Sequence, residues 1–270
     1  MAKPNMRQSR TASLRASKVS EHATKSRSAS PQVKTILKYK RILLKLSGEV
    51  FKGSKEYGFD EKVLNELAKE VYGLQKLGCQ IGIVIGGGNI WRYRDFQHLE
   101  LDRVTSDTMG MLATIMNALA FEEALKLVGA DVRAVSCFPS ERALETYIPK
   151  RAKHHLEKGR IVIFAGGTGS PFFTTDSAAA LRALEMNCDV LLKATKVDYV
   201  YDKDPMKYKD AKKYTQMKYQ EVIEKGLGVM DLTCASLCKE GKIPMVVFNL
   251  NKKGNIVKAV KGDKIGTLIN

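Results

Sequence analysis

A segment rich in glycine, threonine and phenylalanine carries the clearest chemistry in this sequence. It follows an apolar, strand-like run and precedes an alanine-rich helix that begins near Ser177. Its residues are Ala165, Gly166, Gly167, Thr168, Gly169, Ser170, Pro171, Phe172, Phe173, Thr174, Thr175 and Asp176. Glycines let a backbone approach a ligand closely, and a new helix presents unpaired N–H groups. The segment is typical of a nucleotide pocket, although taken alone it also fits an ordinary strand-to-helix turn.

Similar phosphate-binding groups follow three other strand-like runs. They occur at Lys45–Gly48, at Gly86–Asn89 and at Lys193–Asp198. Backbone N–H groups in glycine turns and lysine ammonium groups both bind phosphate oxygens. Because ligands of a parallel sheet bind beyond the carboxyl ends of its strands, we expect these groups to face one site. The presence of such groups after four strand-like runs is better explained by a site for two phosphorylated groups than by coincidence.

The elements that must position these groups alternate between strands and helices. Apolar runs predict strands at Arg41–Leu46, Ile81–Ile85, Val132–Ser136, Ile161–Ala165, Val190–Lys193 and Met245–Phe248. Helical periodicity covers Asp60–Leu77, with Gly78 as the stop signal, and a second long helix begins near Val104. Strands that are apolar on both faces and separated by helices indicate a mainly parallel sheet sandwiched by helices. The predicted fold class is α/β.

Two common nucleotide motifs fit this chain less well. A Walker-type loop needs a Lys-Ser/Thr pair after its last glycine, and neither glycine cluster provides one. A dinucleotide fingerprint needs Gly-x-Gly-x-x-Gly, and Gly86–Trp91 lacks the last glycine of this pattern because Trp91 stands there. Hydride transfer is therefore the weaker alternative.

Composition indicates a globular protein with a basic N-terminal segment. The chain has 270 residues, 44% hydrophobic and 27% charged, and no apolar run approaches the roughly 20 residues of a membrane span. Five scattered cysteines, Cys79, Cys137, Cys188, Cys234 and Cys238, are expected to be reduced thiols.

The net charge of +16 divides equally between residues 1–38 and the remaining residues, which are far more numerous. We expect the Ser-rich residues 1–38 to be a disordered extension, because they contain too few apolar residues to offset their ordering entropy. Binding of nucleic acid or another polyanion, organelle targeting and an incidental role all remain open for this segment.

From Tyr39 to Asn270 a series of motifs occurs in a specific order. They are Lys45–Glu49, Val84–Asn89, Asp107–Thr114, Thr168–Asp176, Lys193–Asp198, Val229–Asp231 and Gly266–Leu268. In these motifs the chain resembles the bacterial-type uridylate kinases of the amino-acid kinase superfamily. The resemblance implies the amino-acid kinase fold over 39–270, with a UMP-binding part at 39–185 and an ATP-binding part at 186–270.

The resemblance implies transfer of the γ-phosphoryl group of ATP to UMP. Such transfer depends mostly on positioning and on electrostatic stabilisation. Lys45 is expected to stabilise the transferring group and Asp176 to orient Lys45, while Arg92 can hold two phosphate oxygens with its planar fork. Asp231 is expected to orient a lysine, a water or the metal. Mg²⁺ is expected to be held mainly by the ATP phosphates, with no metal ligand from the protein.

The same resemblance implies two sets of binding residues. The expected UMP contacts are Gly87, Arg92, Asp107, Thr168, Gly169, Ser170, Pro171, Phe172, Phe173, Thr174 and Thr175. The expected ATP contacts are Lys45, Leu46, Ser47, Gly48, Gly88, Thr195, Tyr201 and Asp204, with Lys193 or Lys196 near the phosphates. A helix cap is the alternative role for Asp107, and a core aromatic is the alternative for Tyr201.

Three features depart from the family pattern or extend beyond its motifs. Tyr93 stands where many relatives have glycine, Arg94 adds a second cation, and Ser170 replaces a common asparagine. The resemblance also implies a cytoplasmic homohexamer that GTP activates and UTP inhibits, although the matched motifs do not mark effector contacts. A nucleotide-sensing or nucleic-acid-binding protein without turnover is the alternative function, and organelle targeting by the extension is the alternative location.

Overall fold

The computed structural model of the chain describes residues 36–92 and 99–270. The extension predicted over 1–38 therefore lies almost entirely outside the described residues, and so do Tyr93 and Arg94. In the described part each helix is too short or too polar to cross a bilayer.

The described residues form strands and helices that largely alternate along the chain. The strands are β1 (Arg41–Leu46), β2 (Gln80–Ile85), β3 (Val132–Ser136), β4 (Glu145–Thr146), β5 (Ile161–Ala165), β6 (Val190–Thr195), β7 (Val200–Tyr201), β8 (Lys213–Tyr214), β9 (Gln216–Met217), β10 (Met245–Asn249) and β11 (Gly266–Ile269). The α-helices are α1 (Glu61–Lys76), α2 (Arg103–Leu127), α3 (Pro149–Glu157), α4 (Thr175–Glu185), α5 (Tyr219–Glu224), α6 (Leu232–Glu240) and α7 (Asn255–Lys261). The predicted α/β class is confirmed.

Nine of these strands form one sheet in the order β4-β3-β5-β2-β1-β6-β10-β11-β9. The pairs on both sides of β1 are parallel, and the pair β10–β11 is antiparallel. Strands β7 and β8 form a separate two-stranded sheet. Because the central strands are parallel, the ends of β1, β2, β5 and β6 lie at one edge, as the phosphate-binding groups require.

Helices cover both faces of the large sheet. On one face the core contains residues of α1, α2 and α7, and on the other it contains residues of α3, α4, α5 and α6. Side chains alternate between these faces along each strand, so Leu44 packs in the first core and Leu43 in the second. Lys45 follows the same alternation and therefore lies on the face covered by α4.

The six central strands match the sequence prediction to within two residues at each end. The helix predicted over Asp60–Leu77 is α1. The Asp60 side chain caps its start, and Leu77 is the capping residue at its end. The short strands β4, β7, β8, β9 and β11 were not predicted. The first four have only two residues each, too few to show a period.

Candidate active site

Two lysines from neighbouring strands share one carboxylate at the carboxyl edge of the sheet. Lys45 of β1 lies directly beside Lys193 of β6 in the parallel register. Asp176 is in the first turn of α4, and its Oδ1 lies 2.8 Å from the Lys45 Nζ. The other oxygen of Asp176 binds the Lys193 Nζ. The carboxylate therefore holds two ammonium groups side by side.

This triad is largely shielded from water. The side chains of Lys45, Lys193 and Asp176 are 13%, 11% and 15% exposed. Burial raises the pKa of Asp176, but the two lysine charges outweigh it and hold that pKa below its usual value. Burial and the charge of Lys45 lower the pKa of Lys193, and Asp176 opposes this shift. A buried carboxylate thus keeps two closely spaced cations in place.

Asp231 fastens the turn that carries Asp176. Asp231 caps α6 by accepting a hydrogen bond from the Cys234 N–H at 2.7 Å. Its Oδ1 also accepts from the Ser177 hydroxyl at 2.8 Å, and its Oδ2 accepts from the Thr174 hydroxyl. Thr174 is the N-cap residue of α4, a role that its neighbour Asp176 does not have. Asp231 therefore connects the starts of two helices.

The glycine turns after β1 and β2 allow close contact between backbones. A Cβ on Gly48 would lie 2.2 Å from the carbonyl oxygen of Gly86, and one on Gly87 would lie 2.9 Å from the carbonyl oxygen of Gly110. The buried Asn117 supports this arrangement, because its Nδ2 donates to the Gly86 carbonyl at 2.7 Å. Only glycine fits these positions without moving the turns or α2.

A small cavity of about 180 Å³ lies between α2 and the loop after β5. Seven of the predicted UMP contacts line it, namely Gly87, Asp107, Thr168, Ser170, Phe173, Thr174 and Thr175. The lining is completed by six residues that were not named as UMP contacts, although Gly167 belongs to the predicted nucleotide-binding segment: Trp91, Ser106, Gly110, Met111, Thr114 and Gly167. We call this the acceptor cavity.

Asp107 lies in the second turn of α2 and is not its cap, because Asp102 has that role. The Asp107 carboxylate accepts from the backbone N–H of Phe172 at 2.7 Å and from Nε of Arg103 at 2.8 Å. Phe172 has a left-handed backbone with φ of 71°. Asp107 therefore holds the loop after β5 against α2.

The remaining predicted contacts in this loop do not line the acceptor cavity. The side chain of Phe172 is largely exposed, and Pro171 beside it is half-buried. Gly169 has a positive φ of 83°, and a Cβ there would lie 2.8 Å from the Cys137 carbonyl oxygen. Its role in this structure is to turn the loop over the end of β3.

Arg92 lies beside Gly88, against the turn that follows β2. Its Nε donates to the Gly88 carbonyl at 2.6 Å, and its Nη2 binds Glu49. Both Arg92 and Gly88 line a third cavity, of about 560 Å³. The structure thus places Arg92 at the glycine turn but outside the lining of the acceptor cavity.

A larger cavity of about 670 Å³ lies at the ends of β1 and β6. Of the predicted ATP contacts, it is lined by Lys45, Ser47, Thr195, Tyr201 and Asp204. Tyr201 is half-buried, and therefore it is not a fully enclosed core aromatic. We call this the donor cavity.

Three predicted ATP contacts lie elsewhere. The side chain of Leu46 is fully buried in the core on the face of α1 and α2. Gly48 lies against Gly86, and Gly88 lies beside Arg92. Any contact that these residues make with a ligand is therefore through their backbone.

Several residues of the donor cavity were missed or left unassigned. The loop Lys225–Val229 lines it, and the pair of glycines in this loop was the signal that could have found it. Lys193 and Lys196 also line the cavity, although the sequence alone did not choose between them. Glu49, which ends the motif Lys45–Glu49, also lines the cavity, and its motif alone does not indicate a role for its carboxylate.

Comparison with known proteins agrees with this arrangement. The model of the amino acid kinase family matches residues 40–249. The sequence pattern predicted a mainly parallel sheet with glycine turns and lysines at its carboxyl edge, and the resemblance implied the amino-acid kinase fold. The chain belongs to the amino acid kinase family.

Individual relatives narrow the comparison to one branch. The chain is 50% identical to a uridylate kinase of Dichelobacter nodosus and 52% identical to one of Xanthomonas campestris pv. campestris, in each case over 86% of this chain and 97% of the relative. A crystal structure of UMP kinase from Bacillus anthracis superimposes with a TM-score of 0.84 at 40% identity, over 86% of this chain and 96% of that one. The predicted resemblance to bacterial-type uridylate kinases is confirmed.

Proposed function

We propose that this chain transfers the γ-phosphoryl group of ATP to UMP and releases ADP and UDP. One observation carries the proposal: the triad of Lys45, Lys193 and Asp176 lies between two cavities. Both lysines line the donor cavity, while Thr174 and Thr175, which precede Asp176, line the acceptor cavity. The names of the relatives supply the acceptor nucleotide, UMP, and the resemblance to the uridylate kinases supplies ATP as the donor.

The lysine pair has the charge that phosphoryl transfer requires. Negative charge spreads over the equatorial oxygens of the transferring group, and fixed cations in a shielded site stabilise it. In our proposal Lys45 and Lys193 contact these oxygens. Asp176 holds the two ammonium groups and does not itself react. Asp231 positions Asp176 through Thr174 and Ser177.

The acceptor cavity supplies the groups that we assign to UMP. The Asp107 carboxylate would accept hydrogen bonds from the ribose hydroxyls, and Phe173 would give an apolar wall to the base. Backbone N–H groups of Gly87 and of the loop after β5 would bind the phosphate, together with Arg92. Arg92 would reach this phosphate from the glycine turn.

The donor cavity supplies the groups that we assign to ATP. Tyr201, Asp204 and Thr195 would contact the adenosine part, and Lys196 the phosphates. Within the described residues no three histidine, cysteine or acidic side chains form a metal cluster. Since both oxygens of Asp176 bind lysines, we propose that Mg²⁺ is held mainly by the phosphates of ATP. The ion would neutralise charge on the transferring group.

We further propose a cytoplasmic homohexamer that GTP activates and UTP inhibits, as the resemblance implies. Leu112, Met116 and Leu119 are 46%, 51% and 36% exposed on α2 and form an apolar stripe suited to a subunit contact. Light scattering would give the number of subunits. Initial rates with each effector would test the regulation.

A coupled assay of ADP release tests the proposed reaction. UMP, CMP, AMP and glutamate are offered separately with ATP and Mg²⁺, and we expect turnover with UMP far above that with AMP or glutamate. Absence of UMP-dependent ADP release would reject the proposal. UMP binding without turnover would favour the sensing alternative.

A further inference from the structure

Glu49 is a carboxylate that bridges two cations of the candidate site. It belongs to the short 3-10 turn Gly48–Val50, directly after β1. Its Oε1 binds Nη2 of Arg92, and its Oε2 accepts from Nζ of Lys196 at 2.9 Å. Arg92 belongs to the turn after β2, whereas Lys196 lines the donor cavity. One side chain therefore connects groups assigned to different nucleotides.

The bridge is ionic in the structure. Partial burial raises the pKa of Glu49, but Lys196 and Arg92 outweigh it and hold the pKa below its usual value. The side chains of Glu49 and Arg92 are 24% and 20% exposed, while that of Lys196 is 66% exposed. The Lys196 end of the bridge is thus the one most open to solvent.

A carboxylate in this position needs a role other than contact with phosphate. A negative charge beside nucleotide phosphates repels them, so Glu49 is unfavourable as a direct ligand. It does orient Arg92, because the Gly88 carbonyl and Glu49 together hold the Nε and Nη2 atoms of the guanidinium. A guanidinium has five N–H donors, so these contacts are compatible with binding of a phosphate.

We propose that Glu49 is a positioning residue that couples the two nucleotide sites, an inference that rests on the proposed function. A donor nucleotide whose phosphates bind Lys196 restrains that exposed side chain. The restrained Lys196 fixes Glu49, and Glu49 in turn fixes Arg92. Because Arg92 is then already ordered, binding of UMP loses less side-chain entropy, and UMP binds more tightly.

Calorimetric titration measures this coupling directly. The full-length protein is titrated with UMP in the presence of Mg²⁺, with and without a saturating non-hydrolysable ATP analogue. In the unmodified protein we expect the analogue to lower the Kd of UMP by about fivefold or more, the usual range of coupling between sites. In Glu49→Gln, which retains the shape but loses the charge and one acceptor oxygen, we expect the analogue to have almost no effect.

Two further variants separate bridging from simple charge. Glu49→Asp retains the charge but is too short to reach both cations, and it should lose coupling like Glu49→Gln. Lys196→Gln changes an exposed residue that the fold does not need, and it should lose coupling too. Combining Lys196→Gln with Glu49→Gln should add no further loss, because both changes break one bridge. Glu66→Gln, exposed on α1 and outside both cavities, is the matched control and should keep the full coupling.

The outcomes distinguish this inference from the proposed function. If the unmodified protein fails to phosphorylate UMP, the proposed function is wrong. If it phosphorylates UMP but the ATP analogue leaves the Kd of UMP unchanged, the inference is wrong. Coupling in Glu49→Gln or Lys196→Gln equal to that of the unmodified protein would overturn it as well.

Discussion

Replacement of Asp176 by asparagine should lower both the stability and the catalytic rate of the protein. In the structure this carboxylate lies 2.8 Å from the Lys45 Nζ and also binds the Lys193 Nζ. The asparagine side chain would be nearly the same size, but it would leave two adjacent ammonium groups without a counter-charge. The variant therefore changes the charge and orientation of the lysines more than the packing.

The expected size of the effect follows from the burial of the triad. Removing one partner of a buried ion pair costs about 3–5 kcal/mol. Because the three side chains retain 11–15% exposure, we expect a loss of unfolding free energy near the lower end, about 3 kcal/mol. Loss of a preorganised charge stabiliser lowers kcat by about 10²–10³-fold, and we expect a fall of that size.

The pH profile of kcat gives a second, independent result. Asp176 raises the pKa of Lys193 against the lowering by burial and by Lys45. Without the carboxylate, Lys193 loses its proton at lower pH than in the unmodified protein. The alkaline limb of the profile should therefore move to lower pH in Asp176→Asn.

Steady-state kinetics with UMP and ATP and urea unfolding measure these effects. Asp131→Asn is the matched control, because Asp131 also binds two cations, Arg133 and Arg160, but is 54% exposed near the amino end of the sheet. An exposed pair contributes about 0–1 kcal/mol, so this control should keep its kcat and most of its stability. An unchanged kcat and pH profile in Asp176→Asn would refute the assigned role of the triad.

The helix cap at Asp231, the glycine turn at Gly48 and the stability of the protein at acidic pH can each be tested separately. Asp231→Ala removes the cap of α6 and the hydrogen bonds that hold Thr174 beside the acceptor cavity. The free energy of unfolding should therefore fall by about 1 kcal/mol, and the KM for UMP should rise more than the KM for ATP. Equal changes in the two KM values would contradict this. Gly48→Ala places a Cβ 2.2 Å from the Gly86 carbonyl oxygen and should lower kcat/KM by about 10²-fold, whereas Gly73→Ala in α1, with open space around its Cβ, should leave it unchanged. The folded-state pKa of Asp176 lies below its ordinary value of 3.8, so the stabilisation by its negative charge is complete above pH 3.8 and is lost as the pH falls through the lower pKa. Below pH 3.8 the urea midpoint of the unmodified protein should therefore fall more steeply with decreasing pH than that of Asp176→Asn. Parallel plots of urea midpoint against pH for the two proteins would contradict this.

The sequence predicted the parts of the fold that have long, regular patterns. The apolar runs of β1, β2 and β5 are buried on both faces, and this pattern requires helices on both sides. Lys45 and the glycine turns were predicted at the carboxyl edge because their positions follow directly from the strand ends. These inferences need only local sequence and the general rule for parallel sheets.

Contacts between distant segments could not be predicted in the same way. Asp231 binds Thr174 across 57 residues, and the sequence left its partner open. Lys45 lies beside Lys193 because β1 and β6 are neighbours in the sheet. The apolar pattern of a strand predicts that it is buried, but not which strand lies next to it. Thr174 and Asp176 are both common capping residues, and only the geometry of the turn shows that Thr174 caps α4.

Phosphorus NMR of the reaction mixture detects the transfer of the phosphoryl group from ATP to UMP itself. The full-length protein is incubated with ATP, Mg²⁺ and UMP, and the β-phosphorus signal of UDP is followed beside that of ADP. UDP and ADP should appear in equal amounts. Lys45→Met, which removes one ammonium group of the triad, should form UDP orders of magnitude more slowly. ATP consumption without UDP, or UDP formation at the normal rate by Lys45→Met, would contradict it.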